Sequence, residues 1–386
     1  MTSIATPAGA AAPEGYQVED GEPLGDLPTP EPVPDLQAFL RERRICLSRS
    51  PERLDHYIAY MRADRRRAEV PYLPIRLDFE NVSRCNFHCT MCTVSDWPKN
   101  QRAADMPVEE FKRIIDDLPG LVEIKLQGLG EPTLQRDAYF EMIRYARARH
   151  IWVRTTTNAS LLHLNDNHRK LIDSDVNEVQ ISIDGADKAT FESIRRGSVF
   201  ERVVDNCKLI NRYCDDLGIV RTKMWTVMQR GNRHQLPQLV DLAAEMGFRS
   251  MVFSLNLNDF GLEHWRERNN AVTVEDEFTR AEAMDLMARG ERHGIAVRFW
   301  RVAEKYLTGN PDTLCPWPFE RAYVSSDLRL VPCCIISNPD VSELGDARDI
   351  RSVWFGERAA AFRAAHLRGD IPQECRSCYD LRDHTA

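Results

Sequence analysis

The sequence lacks any run of apolar residues long enough to cross a membrane. No stretch of roughly 18 or more consecutive apolar residues occurs in the chain, and a transmembrane helix needs about 20. The first residues also lack the cationic start and the long apolar run that are typical of a signal peptide. We therefore expect a cytoplasmic protein with no membrane partner.

An excess of positive charge is missing as well. The 51 Lys and Arg residues are outnumbered by 59 Asp and Glu residues, and the formal net charge is −8. Because phosphate backbones are bound by basic surfaces, this balance argues against a nucleic-acid partner. The 386 residues, 43% hydrophobic and 28% charged, are typical of a globular protein with one large domain and a smaller one.

Cysteine, by contrast, is abundant and clustered. Of the 11 cysteines, three lie close together early in the chain and five lie in its last quarter. In a reducing compartment, clustered cysteines indicate metal binding before disulfides. The isolated cysteines Cys46, Cys207 and Cys214 are expected to act as small hydrophobic residues.

Composition and periodicity divide the chain into four segments. These are a disordered tail rich in Pro and acidic residues at 1–35, a helical segment at 36–73, a barrel domain at 74–305 and a small metal-held domain at 306–386.

Strand and helix patterns alternate through the third segment. Strands are predicted at 75–80, 122–127, 152–156, 178–183, 221–228 and 250–254, with a short one at 296–299. Helices are predicted at 108–118, 138–148, 168–172, 189–195, 200–214, 235–246 and 274–293, with a later one at 352–367. Six main strands that alternate with helices predict an α/β fold, a partial (β/α)6 TIM barrel whose site lies at the carboxyl ends of the strands.

The early cysteine group suits an iron–sulfur cluster. Cys85, Cys89 and Cys92 lie in one short loop directly after the first strand. Three thiolates can ligate three corners of a [4Fe–4S] cluster and leave one iron open to a small molecule. A zinc site is less well supported, since the nearest fourth ligand, His88, lies inside the loop at awkward spacing.

The spacing Cys-x-x-x-Cys-x-x-Cys after the first strand resembles the radical S-adenosylmethionine (SAM) superfamily. The resemblance implies that SAM chelates the open iron of a [4Fe–4S] cluster. An electron from the cluster then cleaves SAM to a 5′-deoxyadenosyl radical, which abstracts hydrogen from the substrate. Cys85, Cys89 and Cys92 would be the catalytic metal ligands.

Later motifs follow successive strands in the order that this superfamily has them. By resemblance, the SAM-binding residues would be Gly128, Gly130, Glu131, Thr157, Asn158, Ser182, Asp184 and one of Arg195 and Arg196. Leu129 and Ala159 stand where the family usually has glycine. Gly130 and Glu131 are therefore better supported than Gly128.

The second cysteine group offers four ligands to a second metal centre. They are Cys315, Cys333, Cys375 and Cys378. Spacing alone allows either zinc or a fully ligated [4Fe–4S] cluster. The region resembles the SPASM and twitch domains of radical SAM enzymes, and its five cysteines, instead of seven, imply a single auxiliary [4Fe–4S] cluster.

Among those auxiliary domains, the layout is most similar to the twitch type of 2-deoxy-scyllo-inosamine dehydrogenase-type enzymes. We prefer Cys333 to Cys334 as a ligand, and Cys334 would be a bystander or a hydrogen-atom donor.

The resemblance to radical SAM enzymes with an auxiliary cluster favours oxidation of an alcohol in natural-product (antibiotic) biosynthesis. The substrate would be a small polar molecule such as a sugar, aminocyclitol or nucleoside, because residues 1–73 lack a strand-rich peptide-recognition domain. Flavodoxin or ferredoxin would be the external reductant. The alternatives are an epimerase, a decarboxylase or eliminase, a peptide maturase, and a metal-stapled binding protein without turnover. Polar residues that could face into the barrel are Arg76, Asp78, Lys125, Gln127, Arg154, Gln180 and Lys223.

Overall fold

The computed structural model describes residues 36–64, 67–255, 257–300 and 305–381, so the predicted tail at 1–35 lies outside the described residues. The strands are β1 (Arg76–Phe79), β2 (His88–Cys89), β3 (Glu123–Leu126), β4 (Trp152–Thr157), β5 (Glu178–Ser182), β6 (Arg195–Arg196), β7 (Thr222–Val227), β8 (Ser250–Ser254), β9 (Ala296–Trp300), β10 (Arg321–Val324), β11 (Arg329–Val331) and β12 (Gly345–Asp346).

The α-helices are α1 (Leu36–Ser48), α2 (Pro51–Arg62), α3 (Val108–Asp116), α4 (Asp137–Arg147), α5 (Asn167–Asp173), α6 (Lys188–Ile194), α7 (Phe200–Asp216), α8 (Leu236–Glu245), α9 (Glu263–Asn270), α10 (Arg280–Arg292), α11 (Trp317–Glu320), α12 (Ile350–Phe355) and α13 (Glu357–Arg368). Within the described ranges, every helix is too short or too polar to span a bilayer.

Seven parallel strands form the centre of the fold. They lie in the order β1-β3-β4-β5-β7-β8-β9, each hydrogen-bonded in parallel to the next. The six predicted main strands and the predicted short strand are all present, with ends that differ by at most one residue. The α/β partial barrel is therefore confirmed, and the carboxyl ends of its strands meet at one edge.

The C-terminal region continues the same sheet. Strand β10 pairs in parallel with the free side of β1, and β11 and β12 follow as antiparallel strands. This region was predicted as a small separate domain, and its first strand is hydrogen-bonded to the barrel. The second cysteine group therefore follows elements that are anchored beside β1.

Two helices cover the amino ends of the strands. The predicted single helical segment is broken after α1, and α2 begins at Pro51, since proline fits the first turn of a helix but not its interior. The Phe39 ring packs edge-on against Trp152, with 5.5 Å between ring centroids. The Tyr60 hydroxyl donates a 2.6 Å hydrogen bond to the buried Glu320 carboxylate.

Most predicted helices differ from the structure by one or two residues at an end, and two differ more substantially. The helix predicted at 274–293 begins at Arg280, because Thr279 and Glu282 form a reciprocal capping box at its start. The helix predicted at 352–367 is two helices, α12 and α13, which meet at the extended Gly356. The sequence analysis did not predict α9.

The strands bury most of their apolar side chains on the face that packs against the helices. Phe79 packs against Phe111 of α3 at 4.9 Å, and Phe299 packs against Phe278 near the start of α10 at 5.5 Å. Neighbouring positions on the same strands, such as Asp78 and Arg298, therefore point into the barrel. Apolar burial against the helices stabilises the fold, and the inner face is left for polar groups.

Arg363 provides a test of how the C-terminal helices are attached. Its side chain is 1% exposed and donates to the backbone carbonyls of Ala68 and Trp354. Burial lowers the pKa of Arg363 to about 10. We expect Arg363→Met to cost about 2–4 kcal/mol of unfolding free energy, because two buried carbonyls lose their donor.

Urea denaturation measures the effect of Arg363→Met, and Arg368→Met is the control. Arg368 also lies on α13, but its side chain is 62% exposed and pairs only with the exposed Asp370. This variant should change stability by less than about 0.5 kcal/mol. Equal losses in the two variants would contradict a structural role for Arg363.

Candidate active site

The first cysteine group forms one buried cluster of thiols at the carboxyl end of β1. Burial raises the pKa of Cys85, Cys89 and Cys92, to about 12 for Cys92. The Cys89 sulfur lies near enough to raise the pKa of the other two further. Three half-buried thiols grouped in this way are well suited to a positively charged iron cluster, which stabilises their thiolate forms.

The geometry of this group differs from that of a single-ion site. Among the residues described, no three His, Cys, Asp or Glu side chains converge closely enough to share one metal ion. His88, the zinc alternative, is exposed, and its Nε2 atom lies 3.0 Å from the Asn100 amide. The residues present fit a larger cluster held by three thiolates better than a tetrahedral zinc ion.

Backbone pairing and amide contacts fix the cysteine loop. Strand β2 pairs with β6, which places Cys89 opposite Arg195. The Cys85 amide donates to the Asn100 carbonyl at 3.2 Å. Asn158 donates to Asn86 at 3.0 Å and lies 3.9 Å from the Cys85 sulfur. The loop is therefore preorganised by residues that are far apart in sequence.

Glu131 ties the ends of two strands together. Its Oε1 accepts hydrogen bonds from the Thr133 and Thr157 hydroxyls, and its Oε2 accepts one from the Asn158 amide at 2.7 Å. Burial raises the pKa of Glu131, and these hydrogen bonds oppose the rise. The predicted residues Glu131, Thr157 and Asn158 therefore come together. Since Oε2 has one protein donor, it retains acceptor capacity for an ammonium group.

The two predicted glycines allow two close approaches. A Cβ atom on Gly130 would lie 2.4 Å from the Val82 carbonyl oxygen and 2.5 Å from that of Arg84, both in the segment that leads into the cysteine loop. A Cβ on Gly128 would lie 2.2 Å from the Glu80 side chain. Gly128 thus makes room for Glu80, and Gly130 lets the two loops touch.

Gly130→Ala should disturb the first cluster site. The added methyl group would meet rigid backbone oxygens, and overpacking of this kind costs about 1–3 kcal/mol. We expect a lower melting temperature and less iron bound after reconstitution. Gly231→Ala is the matched control, because its nearest neighbour would be 3.6 Å away. Unchanged iron content in Gly130→Ala would contradict this account.

The predicted arginine pair is separated by the structure. Arg195 is buried, and its guanidinium lies 2.6 Å from the buried Asp184 carboxylate. Arg195 also lowers the pKa of the Cys89 thiol, which burial otherwise raises. Arg196 is exposed. Both arginines pair with the cysteine loop through their backbone, and Arg195 is the one whose side chain acts on a cysteine thiol.

The other predicted residues near this edge lie on β5 and after it. Ser182 is half-buried at the end of β5, opposite Trp225 of β7. Asp184 accepts from the Val227 amide at 2.7 Å. Asn232 donates to the Asp184 and Val227 carbonyls. Asn232 therefore joins the ends of two strands.

The second cysteine group separates Cys333 from Cys334. Burial raises the pKa of Cys375, and the nearby sulfurs of Cys333, Cys315 and Cys378 add to the rise. Burial likewise raises the pKa of Cys334. The next largest contribution to this rise comes from the charge of Asp78, on the inner face of β1. The four predicted ligands thus lie together, while the Cys334 thiol lies beside the barrel interior.

A buried ionic link between the two cysteine regions was missed by the sequence analysis. The Arg102 guanidinium lies 2.8 Å from the buried Glu80 carboxylate and donates twice to Asp327 at 2.9 Å. The Ser326 amide also donates to Glu80. These partners are 22 and 225 positions apart, so only the pairing of β1 with β10 reveals the link.

The inner face of the barrel carries a network of charges. The Glu123 carboxylate pairs with Arg76 at 3.3 Å and Arg154 at 2.5 Å. Glu178 pairs with Lys223 at 2.9 Å. Gln180 bonds to Glu178 and Thr156. The polar side chains predicted to face inward therefore do so together, as strand alternation requires.

Two family models match the chain. Residues 82–243 match the radical SAM superfamily, and residues 315–379 match SPASM, an iron–sulfur cluster-binding domain. The first match contains the early cysteine loop and the motifs at β3 to β5. The second contains all four predicted auxiliary ligands.

Curated relatives carry the names of a maturase and of a peptide cyclase. The mycofactocin maturase MftC of Mycolicibacterium smegmatis is 30% identical over 50% of this chain and 47% of its own length. The PqqA peptide cyclase of Bradyrhizobium diazoefficiens is 22% identical over 81% of this chain and 80% of its own. The chain spans about half the length of the mycofactocin maturases that it matches.

Solved structures share the fold at low sequence identity. Streptococcus suis SuiB bound to precursor peptide SuiA has a TM-score of 0.57 and 15% identity, over 76% of this chain and 67% of that chain. Native anSMEcpe with bound AdoMet has a TM-score of 0.56 and 18% identity, over 79% of this chain and 87% of that chain.

Proposed function

We propose that this chain, which joins a radical SAM domain to a C-terminal SPASM domain, is an enzyme that removes hydrogen from a peptide with the aid of SAM. The observation that carries the proposal is the pair of thiol clusters. Three thiols at the carboxyl end of β1 would leave one cluster position open, and the four thiols grouped beside the same sheet would close a second site.

The choice of a peptide rests on the relatives. The name of the PqqA peptide cyclase states a peptide substrate, and that enzyme is matched over most of both chains. A related fold holds a precursor peptide in SuiB. The sequence analysis favoured a small polar substrate and kept a peptide maturase as an alternative. The comparisons favour that alternative.

Specific residues would hold the cofactors. Cys85, Cys89 and Cys92 would ligate a [4Fe–4S] cluster, and SAM would occupy its open iron. When bound, this pair supplies one-electron cleavage of SAM and hydrogen abstraction. Cys315, Cys333, Cys375 and Cys378 would ligate the auxiliary cluster, whose chemistry is electron transfer.

The chain's own groups would bind and orient SAM around that open position. Glu131 would accept from the ammonium group through Oε2, the oxygen that has one protein donor. Arg195 would face the carboxylate of SAM, since its buried guanidinium already lies beside the cysteine loop. The backbone at Gly130 permits close approach. An external flavodoxin or ferredoxin as electron source stays a prediction.

The test is a reaction of the reconstituted protein with SAM, dithionite and the short peptides encoded beside its gene. We expect 5′-deoxyadenosine to form together with a peptide that has lost hydrogen, as measured by mass spectrometry. The Cys89→Ala variant is the control and should form neither. SAM cleavage without any change in the peptides would contradict the peptide proposal.

A second candidate, oxidation of a small polar alcohol, is favoured by the four-ligand spacing of the auxiliary site. Parallel reactions with aminocyclitols and nucleosides test it. Turnover of an aminocyclitol or a nucleoside, with no turnover of peptides, would favour this second candidate. A protein that cleaves no SAM at all would instead be a metal-stapled binding protein, since an enzyme of this class needs that step.

A further inference from the structure

Two cations inside the barrel have no counterion. Among the residues that the structure describes, neither Lys125 on β3 nor Arg298 on β9 makes a hydrogen bond or an ion pair within 4 Å. Both side chains are half-buried and lie on the strand face opposite the helices. On β9, the neighbours Val297 and Phe299 pack against α10 and Phe278, which leaves Arg298 to the interior.

The rest of the inner face does not neutralise these two cations. The inward charges on the seven parallel strands are the cations Arg76, Lys125, Arg154, Lys223 and Arg298 and the carboxylates Asp78, Glu123 and Glu178. Glu123 and Glu178 are already engaged by ion pairs. The interior therefore has an excess of positive charge.

Asp78 is the one inward carboxylate without an ion pair in the described ranges. Its charge is shared among several cations, since Lys125, Arg154 and Arg321 each lower its pKa against the rise that burial causes. Burial and then Arg154 lower the pKa of Lys125, although Asp78 opposes them. Asp78 thus only partly compensates Lys125, and it lies too far from Lys125 to form a direct pair.

We propose that Lys125 and Arg298, each without an ion pair among the described residues, bind carboxylate groups of the peptide substrate inside the barrel. This inference rests on the proposed function and names the chemistry that the site recognises. A half-buried cation without a partner has lost part of its hydration, so an incoming carboxylate gains a charge-assisted hydrogen bond at little further desolvation cost. The carboxylate comes from an Asp or Glu side chain or from the peptide C-terminus.

An aromatic wall lies next to this charge. The rings of Trp225 and Trp300 are 5.6 Å apart, and Trp300 shares the inner face of β9 with Arg298. Both tryptophans are half-buried. Arg298 therefore orients the carboxylate, while the two rings offer apolar contact to a neighbouring side chain of the same peptide.

Two synthetic random peptide libraries test the proposal, one that ends in a free carboxylate and one that ends in an amide. Each library is incubated with the reconstituted protein and SAM. The peptides that stay bound to the protein are separated from the others and identified by mass spectrometry. We expect acidic peptides to be enriched about tenfold, as for one charged contact. Enrichment in the amide library would assign the contact to an acidic side chain. Stronger retention of the free-carboxylate library than of the amide library, without a preference for acidic sequences, would assign it to the C-terminus.

The Lys125→Met/Arg298→Met double variant should lose this enrichment. The control double variant, Lys170→Met/Arg249→Met, removes the same charge from exposed positions and should keep it. Equal iron content in all proteins shows that the barrel is intact. Retained peptides with neither an acidic preference nor a preference for a free C-terminus, or a preference that survives in Lys125→Met/Arg298→Met, would overturn the carboxylate site and leave the peptide function standing. No retained peptide would count against both.

Discussion

Replacement of Cys85, Cys89 and Cys92 by alanine is expected to abolish SAM cleavage and to halve the bound iron. The three thiols form one cluster at the carboxyl end of β1. The four thiols of the second site come from residues 315–378 and share no ligand with it. We expect two four-iron clusters in the wild type and one in the triple variant after anaerobic reconstitution. Formation of 5′-deoxyadenosine should fall by roughly 10³-fold or more.

The measurement is of iron, acid-labile sulfide and zinc in the same samples of the wild type and the triple variant. Cys207→Ala is a suitable control, because Cys207 is a fully buried lone thiol on α7 and should leave both clusters in place. Loss of all iron in the triple variant would mean that the C-terminal cysteines bind zinc or no metal. The oxidation chemistry would then lack its internal electron acceptor.

Alanine variants of the adjacent residues Cys333 and Cys334 should differ in cluster content and in stability. The sulfurs of Cys315 and Cys378 raise the pKa of Cys333, whereas the largest charge effect on the pKa of Cys334 is that of Asp78 in the barrel, followed by Cys333. We expect Cys333→Ala to lose the auxiliary cluster and to keep the SAM-binding one. Because metal binding to a closed site contributes folding free energy, this variant should also melt at a lower temperature. Cys334→Ala should keep both clusters and lose about 1 kcal/mol or less.

Electron paramagnetic resonance of the reduced proteins checks the pair, since it distinguishes one cluster from two. The contrast is internal, because the two variants differ only in which of two neighbouring thiols is removed. Loss of the auxiliary signal in Cys334→Ala, with its retention in Cys333→Ala, would reverse the ligand assignment. A redox or hydrogen-donor role for Cys334 would instead appear as altered product with both clusters intact.

Local sequence signals predicted the parts of the fold that depend on short-range patterns. Alternating apolar and polar residues predicted the parallel strands, because a strand with one face packed against helices needs that period. The cysteine loop from Cys85 to Cys92 could also be recognised from the sequence, because its three thiols lie a few positions apart. Errors arose at helix boundaries such as Thr279, where capping hydrogen bonds decide the first residue.

The substrate class was the weakest part of the sequence reading. The absence of a strand-rich segment before residue 74 favoured a small molecule as substrate. That segment, however, carries no information about what the barrel interior binds. Relatives such as the PqqA peptide cyclase shift the balance to a peptide. The charges that we propose to contact it, Lys125 and Arg298, lie on β3 and β9, which four other strands separate in the sheet.

The sequence by itself determined the elements, the two cysteine groups and the order of the motifs, because each is written in residues a few positions apart. Only the tertiary structure decided that β10 extends the sheet beside β1 and that Glu80, Arg102 and Asp327 form one buried ionic link. It also decided that the Arg195 side chain is buried beside Asp184 and the Cys89 thiol, while Arg196 is exposed, and that Asp78 of the barrel acts on the Cys334 thiol. These features depend on burial and on contacts between distant segments, which arise only when the parallel strands bring their ends together.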